Sequence, residues 1–254
     1  MSDLSDFEGR IALVTGAASG IGAACAKALA ARGAAKLFLN DVNADGIEAL
    51  GLDCEVVPMI GSVADEAMWE TLQPQLEGLD HVVVNAGIGG FGAVADLEFA
   101  EWRRVMDINL DGAFLTLRAG LRAIKANGKT TGGSAVITAS STGVKPVPMI
   151  GPYGPAKAAV AHMARIAAME NAGDNIRVNA IAPGGVDTAI WEGGDDFNRS
   201  VEAIGRDKTI ARMAKTTPLQ RFASSDEIAE DILYLLGSAN ITGHVLVTDG
   251  GFTL

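Results

Sequence analysis

Thr15-Gly16-Ala17-Ala18-Ser19-Gly20-Ile21-Gly22 stands between an apolar run over residues 10–15 and an alanine-rich stretch over residues 20–32 that halts at Gly33. A short apolar run, a cluster of glycines and then a helical stretch read as strand, tight turn and helix. Glycines in such a turn permit dihedral angles that other residues avoid and let the backbone approach a phosphate closely. The helix start behind them offers unpaired N–H groups and positive potential. Any tight strand-to-helix connection can also need glycine, so the meaning of the turn depends on what surrounds it.

Outward from the turn, the same alternation recurs. Residues 36–40, 56–60, 81–84, 134–139, 176–181 and 244–247 read as strands, and residues 65–76, 98–125, 153–171 and 226–236 as helices. This order predicts an α/β fold: one domain over residues 1–254, Rossmann-type and doubly wound, with a seven-stranded parallel sheet and helices on both faces. Residues 127–133 (NGKTTGG) read as a polar turn. Residues 187–218 break the pattern, polar at first (EGGDDFNRS) and then weakly helical. A segment of that length reads as a substrate-binding lid, with a plain surface insertion as the competing reading.

Composition narrows the function classes. Hydrophobic residues make up 48% of the 254, with 31 glycines, which suits a buried parallel sheet with many tight turns. The net charge of -11, with no basic cluster, argues against a nucleic-acid partner. Residues 1–10 carry Asp3, Asp6 and Glu8 rather than a basic region before an apolar run, and no stretch approaches the ~20 apolar residues of a membrane span. The expectation is a cytoplasmic protein without a membrane anchor. Cys25 and Cys54 lack metal-ligand spacing and read as buried free thiols, and His81, His162 and His244 are scattered, so no metal is expected.

Three positions add chemistry to the scaffold. Asp41 ends the second strand 19 residues beyond Gly22, the spacing of a carboxylate that binds a ribose 2′-hydroxyl. Ala17, Ala18, Ser19 and Val42 supply no cation for a 2′-phosphate, so the pattern favours NAD over NADP; alternatively Asp41 only caps a helix starting near Asn43. Tyr153 and Lys157 share a helix face at i and i+4, where an ammonium would pull down a phenol whose free pKa is about 10. Pro155 is tolerated between them only if the helix begins near Tyr153. An ordinary helix with a solvated lysine is the competing reading. Ser140 ends the fifth strand, where side chains enter the crevice of an open sheet, and the register of residues 133–143 favours it over the adjacent Ser141.

Taken in order, these motifs resemble the classical short-chain dehydrogenase/reductase family over residues 10–254. TGAASGIG is similar to that family's cofactor turn, Asn85-Ala86-Gly87 to its stabilising motif after the fourth strand, and Pro183-Gly184-Gly185-Val186-Asp187-Thr188 to its nicotinamide-side segment. The resemblance implies an NAD site formed by Gly16, Ser19, Gly20, Ile21, Gly22, Asp41, Ser62, Val63, Asn85, Ala86, Gly87, Tyr153, Lys157, Pro183, Gly184, Val186 and Thr188. Ser62 departs from the pattern, because the family commonly has an aspartate there against the adenine.

Asn109 (in MDINLDG), Ser140, Tyr153 and Lys157 match the family's catalytic tetrad. The implied chemistry is hydride transfer at nicotinamide C4 with Tyr153 as general acid or base. Lys157 would lower its pKa and bind the ribose, Ser140 would hold the substrate oxygen, and Asn109 would position a water. The backbone near Val186 and the Thr188 hydroxyl would contact the carboxamide or phosphates. Ile88, Phe91, Val147, Met149, Ile150, Trp191, Phe197 and Met213 are candidate pocket residues, mostly apolar, which favours a hydrophobic or cyclic secondary alcohol or ketone. The alternatives are an NADP-linked 3-oxoacyl thioester reductase and a catalytically silent dinucleotide-binding sensor. The resemblance also implies a homotetramer packed through the helices over residues 98–125 and 153–171.

Overall fold

Strands rich in Val, Ile, Leu and Ala with no polar alternation need cover on both faces, and the computed structural model, which describes residues 7–128 and 132–254, supplies it. In chain order the elements are β1 (Ile11–Thr15), α1 (Gly20–Ala31), β2 (Lys36–Asp41), α2 (Ala44–Glu48), β3 (Glu55–Ile60), α3 (Glu66–Leu72), β4 (His81–Val84), α4 (Phe99–Met106), α5 (Gly112–Ala126), β5 (Gly133–Thr138), α6 (Tyr153–Asn171), β6 (Ile176–Pro183), α7 (Asp195–Ile204), α8 (Arg206–Ala214), α9 (Ser225–Gly237) and β7 (Val245–Thr248). Residues 129–131, part of the expected polar turn, lie outside the described residues, as do Asp3 and Asp6.

All seven strands are parallel, in the order β3-β2-β1-β4-β5-β6-β7. The chain winds outward from β1 in one direction and then from β4 in the other. The carboxyl ends of these two adjacent strands therefore diverge into a crevice, because their following connections leave to opposite sides. Two apolar layers sandwich the sheet. Leu13, Val82, Ile137, Val160 and Val178 belong to the layer shared with α5 and α6, while Val14, Leu39, Cys25, Leu29, Ile228 and Ile232 belong to the layer shared with α1 and α9.

Several elements differ from the sequence reading. The expected helix over 98–125 is two α-helices joined by a π turn, Asp107–Asp111, that carries Asn109. The expected helix over 65–76 ends at Leu72; Asp65 caps it by accepting from the Ala67 and Met68 N–H groups, and a short 3₁₀ turn follows. Cys54 is half-buried, so only Cys25 behaves as the buried thiol expected of both.

The segment over 187–218 is also more regular than expected: a 3₁₀ turn (Ala189–Gly193), α7 and α8. Phe197, Val201 and Ile204 recur at i, i+4 and i+7, which gives α7 an apolar stripe inside a polar composition. Ser200 and Thr209 join the two helices through their hydroxyls at 2.9 Å, and the Arg212 guanidinium donates to Ser200. Among the described residues, no helix is long and apolar enough to cross a membrane.

Candidate functional site

The turn after β1 and the turn after β4 are built against each other. Thr15 Oγ1 accepts the backbone N–H groups of Asn85 and Ala86 at 3.0 and 3.2 Å, and the Asn85 amide donates back to Thr15 O at 3.1 Å. Thr138, at the end of β5, donates to Asn85 Oδ1 at 3.2 Å. The packing leaves no room for side chains: a Cβ at Gly22 would lie 2.0 Å from Gly16 O and 2.8 Å from Asn85 Nδ2, and Gly16 has φ +66°.

The start of α1 meets the requirements for an anion. Ser19 precedes it in an extended conformation without using its side chain as a cap, and no acidic residue stands in the first turn. The first-turn N–H groups therefore keep their positive potential and lack the side-chain oxygen that often satisfies them. Gly20 faces the Thr188 methyl, which an added Cβ would approach to 3.2 Å. These features fit the pyrophosphate of a dinucleotide.

Asp41 has a definite structural task. One carboxylate oxygen accepts from Ala18 N at 3.0 Å, fixing the glycine turn, and the other accepts from Asn43 N at 3.0 Å. Asn43 itself caps α2 by accepting from Gly46 N. Asp41 therefore does not cap the helix directly, and each oxygen keeps a lone pair for a ribose hydroxyl. Ser62 accepts from Ala64 N at 3.3 Å, and Val63 is buried, its carbonyl holding the Trp69 indole N–H at 2.8 Å. Contact from Val63 to a ligand would thus use the backbone.

On the other side of the crevice, Tyr153 begins α6 and Lys157 follows one turn later, buried to 4% exposure. Lys157 Nζ donates to Thr138 O at 2.8 Å and lies 5.6 Å from the centre of the Tyr153 ring. Gly87 sits between the two polar residues of the floor: a Cβ there would be 2.6 Å from Asn109 Oδ1 and 3.3 Å from Lys157 Nζ. Asn109 accepts from Ile88 N at 3.1 Å and donates to Ile88 O at 2.9 Å, so its amide clasps both backbone groups of one residue. Ser140 Oγ lies 2.9 Å from Thr142 Oγ1 and accepts from Thr142 N at 3.2 Å, close enough to the Tyr153 hydroxyl to draw its pKa down, and like the neighbouring Ser141 it is buried.

The electrostatics correct one expectation. Desolvation is the dominant influence on Tyr153 and pushes its pKa up to about 12, against the opposing hydrogen bond from Ser140. Desolvation also pulls Lys157 down to about 8. The lysine does not hold the phenol below its ordinary value in this state, because its ammonium faces the Thr138 carbonyl and the ring.

Pro183 closes β6, and Gly184 donates to Thr248 O at 3.0 Å while lying against Asp249. Two aromatic residues support the next turn. The Phe222 ring fills the space a Gly185 Cβ would need, 2.2 Å away, and stacks on Trp191 with centroids 5.5 Å apart. Trp191 Nε1 donates to Val186 O at 2.8 Å, and Ala223 N donates to Gly185 O at 3.0 Å.

Of the apolar pocket candidates, Phe91 lies beside Gly194, and Ile150 pairs with Gly92 along the backbone bridge that also joins Met149 O to Gly92 N. Phe197 is buried beneath the Arg206 guanidinium, 5.7 Å from ring centre to cation. Sequence reasoning missed Thr138, which acts through its carbonyl, and Phe222, whose role depends on a glycine distant in sequence. Neither leaves a local signal.

Known proteins are similar to this chain over nearly its whole length. The family model described as enoyl-(acyl carrier protein) reductase matches residues 16–253. Cis-4-hydroxycyclohexanecarboxylate dehydrogenase of Sinomonas cyclohexanicum is 38% identical over 97% of this chain and 98% of its own. The 2,5-dichloro-2,5-cyclohexadiene-1,4-diol dehydrogenase of Sphingobium indicum is 35% identical over 98% and 99%. The crystal structure of a short-chain type dehydrogenase/reductase from Mycobacterium marinum superposes with a TM-score of 0.85 at 32% identity, covering 99% of this chain and 98% of that one.

The buried Lys157 makes a testable contribution to stability. Below pH 8 the ammonium is charged in both folded and unfolded chains, so folding bears the full desolvation cost; between about 8 and the ordinary value of 10.5 the folded chain binds fewer protons and gains stability as pH rises. Urea unfolding at pH 7 and pH 10 should show the native chain gaining stability relative to Lys157→Met across that interval. A pH-independent difference between the two would refute the assignment.

Proposed function

The chain belongs to the short-chain dehydrogenase/reductase family, and we propose that it is an NAD(H)-dependent oxidoreductase that interconverts a hydrophobic, cyclic secondary alcohol and its ketone. The observation that carries this reading is the meeting of Ser140, Tyr153 and Lys157 beside Gly87, at the carboxyl ends of the strands where the glycine turn also lies. Six-membered carbocyclic substrates in the names of two relatives, one a carboxylate and one a diol, support the cyclic part of this reading, and the apolar side chains of Phe91, Met149, Ile150 and Trp191 support the hydrophobic part.

When bound, the nicotinamide supplies the hydride acceptor or donor. The phosphates are received by the start of α1 and by Thr188, and the adenosine ribose by Asp41. Asp41 meets a 2′-phosphate with negative charge, and its neighbours Ala17, Ala18 and Val42 bring no cation, which supports NAD over NADP. Tyr153 takes the proton of the alcohol oxygen during oxidation and returns it during reduction, while Ser140 donates to the same oxygen. Lys157, fixed by Thr138, keeps a positive charge close to the ring and within reach of the nicotinamide ribose. Asn109 holds Ile88 and thereby the loop after β4; its amide keeps one N–H and one lone pair, with which it positions a water. Residues 187–218 act as the lid over the substrate.

Tyr153→Phe removes the proton acceptor without changing the ring. Oxidation of cyclic secondary alcohols should fall by about 10²–10⁴-fold, the contribution of a general base, with NADH affinity within about twofold of native. Retained turnover would remove Tyr153 from the mechanism. The native rate of oxidation should rise with pH, because a phenol whose pKa lies near 12 becomes a base only as protons become scarce. Turnover should be at least tenfold greater with NAD than with NADP; the reverse preference would overturn the Asp41 argument and favour a 3-oxoacyl reductase.

We also propose a homotetramer that covers exposed apolar side chains on the helices expected to pack together: Phe99 on α4, Phe114 on α5, and Ile166 and Met169 on α6, the last 85% exposed. Multi-angle light scattering at micromolar concentration should give four times the chain mass of 26.1 kDa, and a monomer would refute it.

A further inference from the structure

Arg206 opens α8 immediately after Gly205, whose φ of +85° allows the chain to reverse between α7 and α8. Its guanidinium does not stay within those helices. Nη2 forms an ion pair with Asp187 Oδ1 at 2.7 Å and donates to Thr188 O at 3.4 Å, reaching the segment that follows β6. Nη1 is buried and has no hydrogen-bond partner.

Among the described residues, two other side-chain atoms share that condition, Arg32 Nη1 and Asn40 Oδ1. Of the three residues, Arg206 alone lines the cavity of about 610 Å³ that is bounded by Ser19 and Gly20 of the glycine turn, by the cation of Lys27, by the carboxylates of Asp187 and Asp226, and by Thr188. A buried guanidinium N–H without an acceptor is costly, and an anionic oxygen would satisfy it with one of the stronger hydrogen bonds available to a protein.

We propose that Arg206 is a phosphate-contacting residue of the cofactor site and that, through it, the segment over 187–218 closes onto the dinucleotide's pyrophosphate. This rests on the cofactor reading given under Proposed function. Arg206 would act in two ways. On closure of the segment its unpartnered Nη1, inaccessible in the present arrangement, turns to donate to a phosphate oxygen, and its bond to Asp187 neutralises a carboxylate that would otherwise repel the same phosphate. A guanidinium suits this double task because its planar fork presents donors along separate edges.

The rival role is a latch, in which Arg206 only ties the segment to Asp187. The two roles differ in what loss of Asp187 does. A latch is broken equally by Arg206→Gln and Asp187→Asn, whereas a phosphate contact is lost in the first and freed of a competing anion in the second.

Binding of NADH, ADP and adenosine to the full chain, by fluorescence and calorimetric titration, tests the proposal. Arg206→Gln should weaken NADH and ADP about tenfold, the scale of one charge-assisted hydrogen bond, and leave adenosine within twofold. Arg206→Lys should fall between Gln and native. Asp187→Asn should bind NADH at least as tightly as the native chain. NADH should also shield residues 187–218 from limited proteolysis in the native chain and not in Arg206→Gln. Native-like NADH affinity in Arg206→Gln, or equal weakening by the Arg206→Gln and Asp187→Asn variants, would overturn this role while leaving the cofactor reading intact. Failure of the native chain to bind NADH would overturn both.

Discussion

The hydroxyl of Thr15 joins two turns that are 70 residues apart in sequence, accepting hydrogen bonds from the Asn85 and Ala86 N–H groups. Both turns follow adjacent parallel strands whose connections leave in opposite directions, so no regular ladder is available to hold them. Side-chain bonds do that work: Thr15 to Asn85, Asn85 back to Thr15 O, and Thr138 to Asn85. The glycines are a consequence of this closeness. Once Asn85 lies on the turn, a Cβ at Gly16 or Gly22 collides with it, and at Gly22 also with the Gly16 carbonyl.

The same crowding explains the floor of the crevice. Gly87 has Asn109 on one side and Lys157 on the other, so the backbone after β4 separates an amide from an ammonium. The π turn at Asp107–Asp111 carries Asn109 to a place where its amide meets both backbone groups of Ile88. Turns of this kind tend to occur at functional sites because they depart from ideal helix geometry. Here the departure is tied to a specific pair of bonds.

Much of this was legible in the sequence. The seven parallel strands, the glycine turn, the place of Asp41 at the end of the second strand and the start of α6 at Tyr153 all follow from local patterns: apolar runs, glycine positions, and the tolerance for Pro155 in a first helical turn. The π turn was not legible, because residues 98–125 keep helical periodicity through it. Nor was the Lys157 anchor, since a carbonyl such as that of Thr138 exists at every residue and leaves no signature. α7 was misjudged for another reason: composition outweighed spacing in EGGDDFNRS, although Phe197, Val201 and Ile204 carried the stripe.

The direction of the Tyr153 shift shows why pairing alone does not define a working acid or base. An i, i+4 lysine predicts a depressed phenol pKa, yet desolvation acts on both groups and moves each toward its neutral form, the phenol upward and the amine downward. The ammonium's attraction for a phenolate is countered by the removal of water that the same crevice requires. Burial therefore leaves the phenol neutral and the amine charged only below about pH 8, and the balance is set by whatever further charge or hydrogen bond enters the crevice. Ser140 already pulls the phenol in the opposite direction from burial, through a hydroxyl placed by the last residues of β5. With the phenol raised to about 12 and the amine lowered to about 8, proton transfer from Tyr153 to Lys157 runs uphill, so the phenol works as a base only when a bound ligand adds to what Ser140 supplies. The parallel sheet brings these groups together by directing β1, β4 and β5 to one end, where the start of α6 packs beside β5.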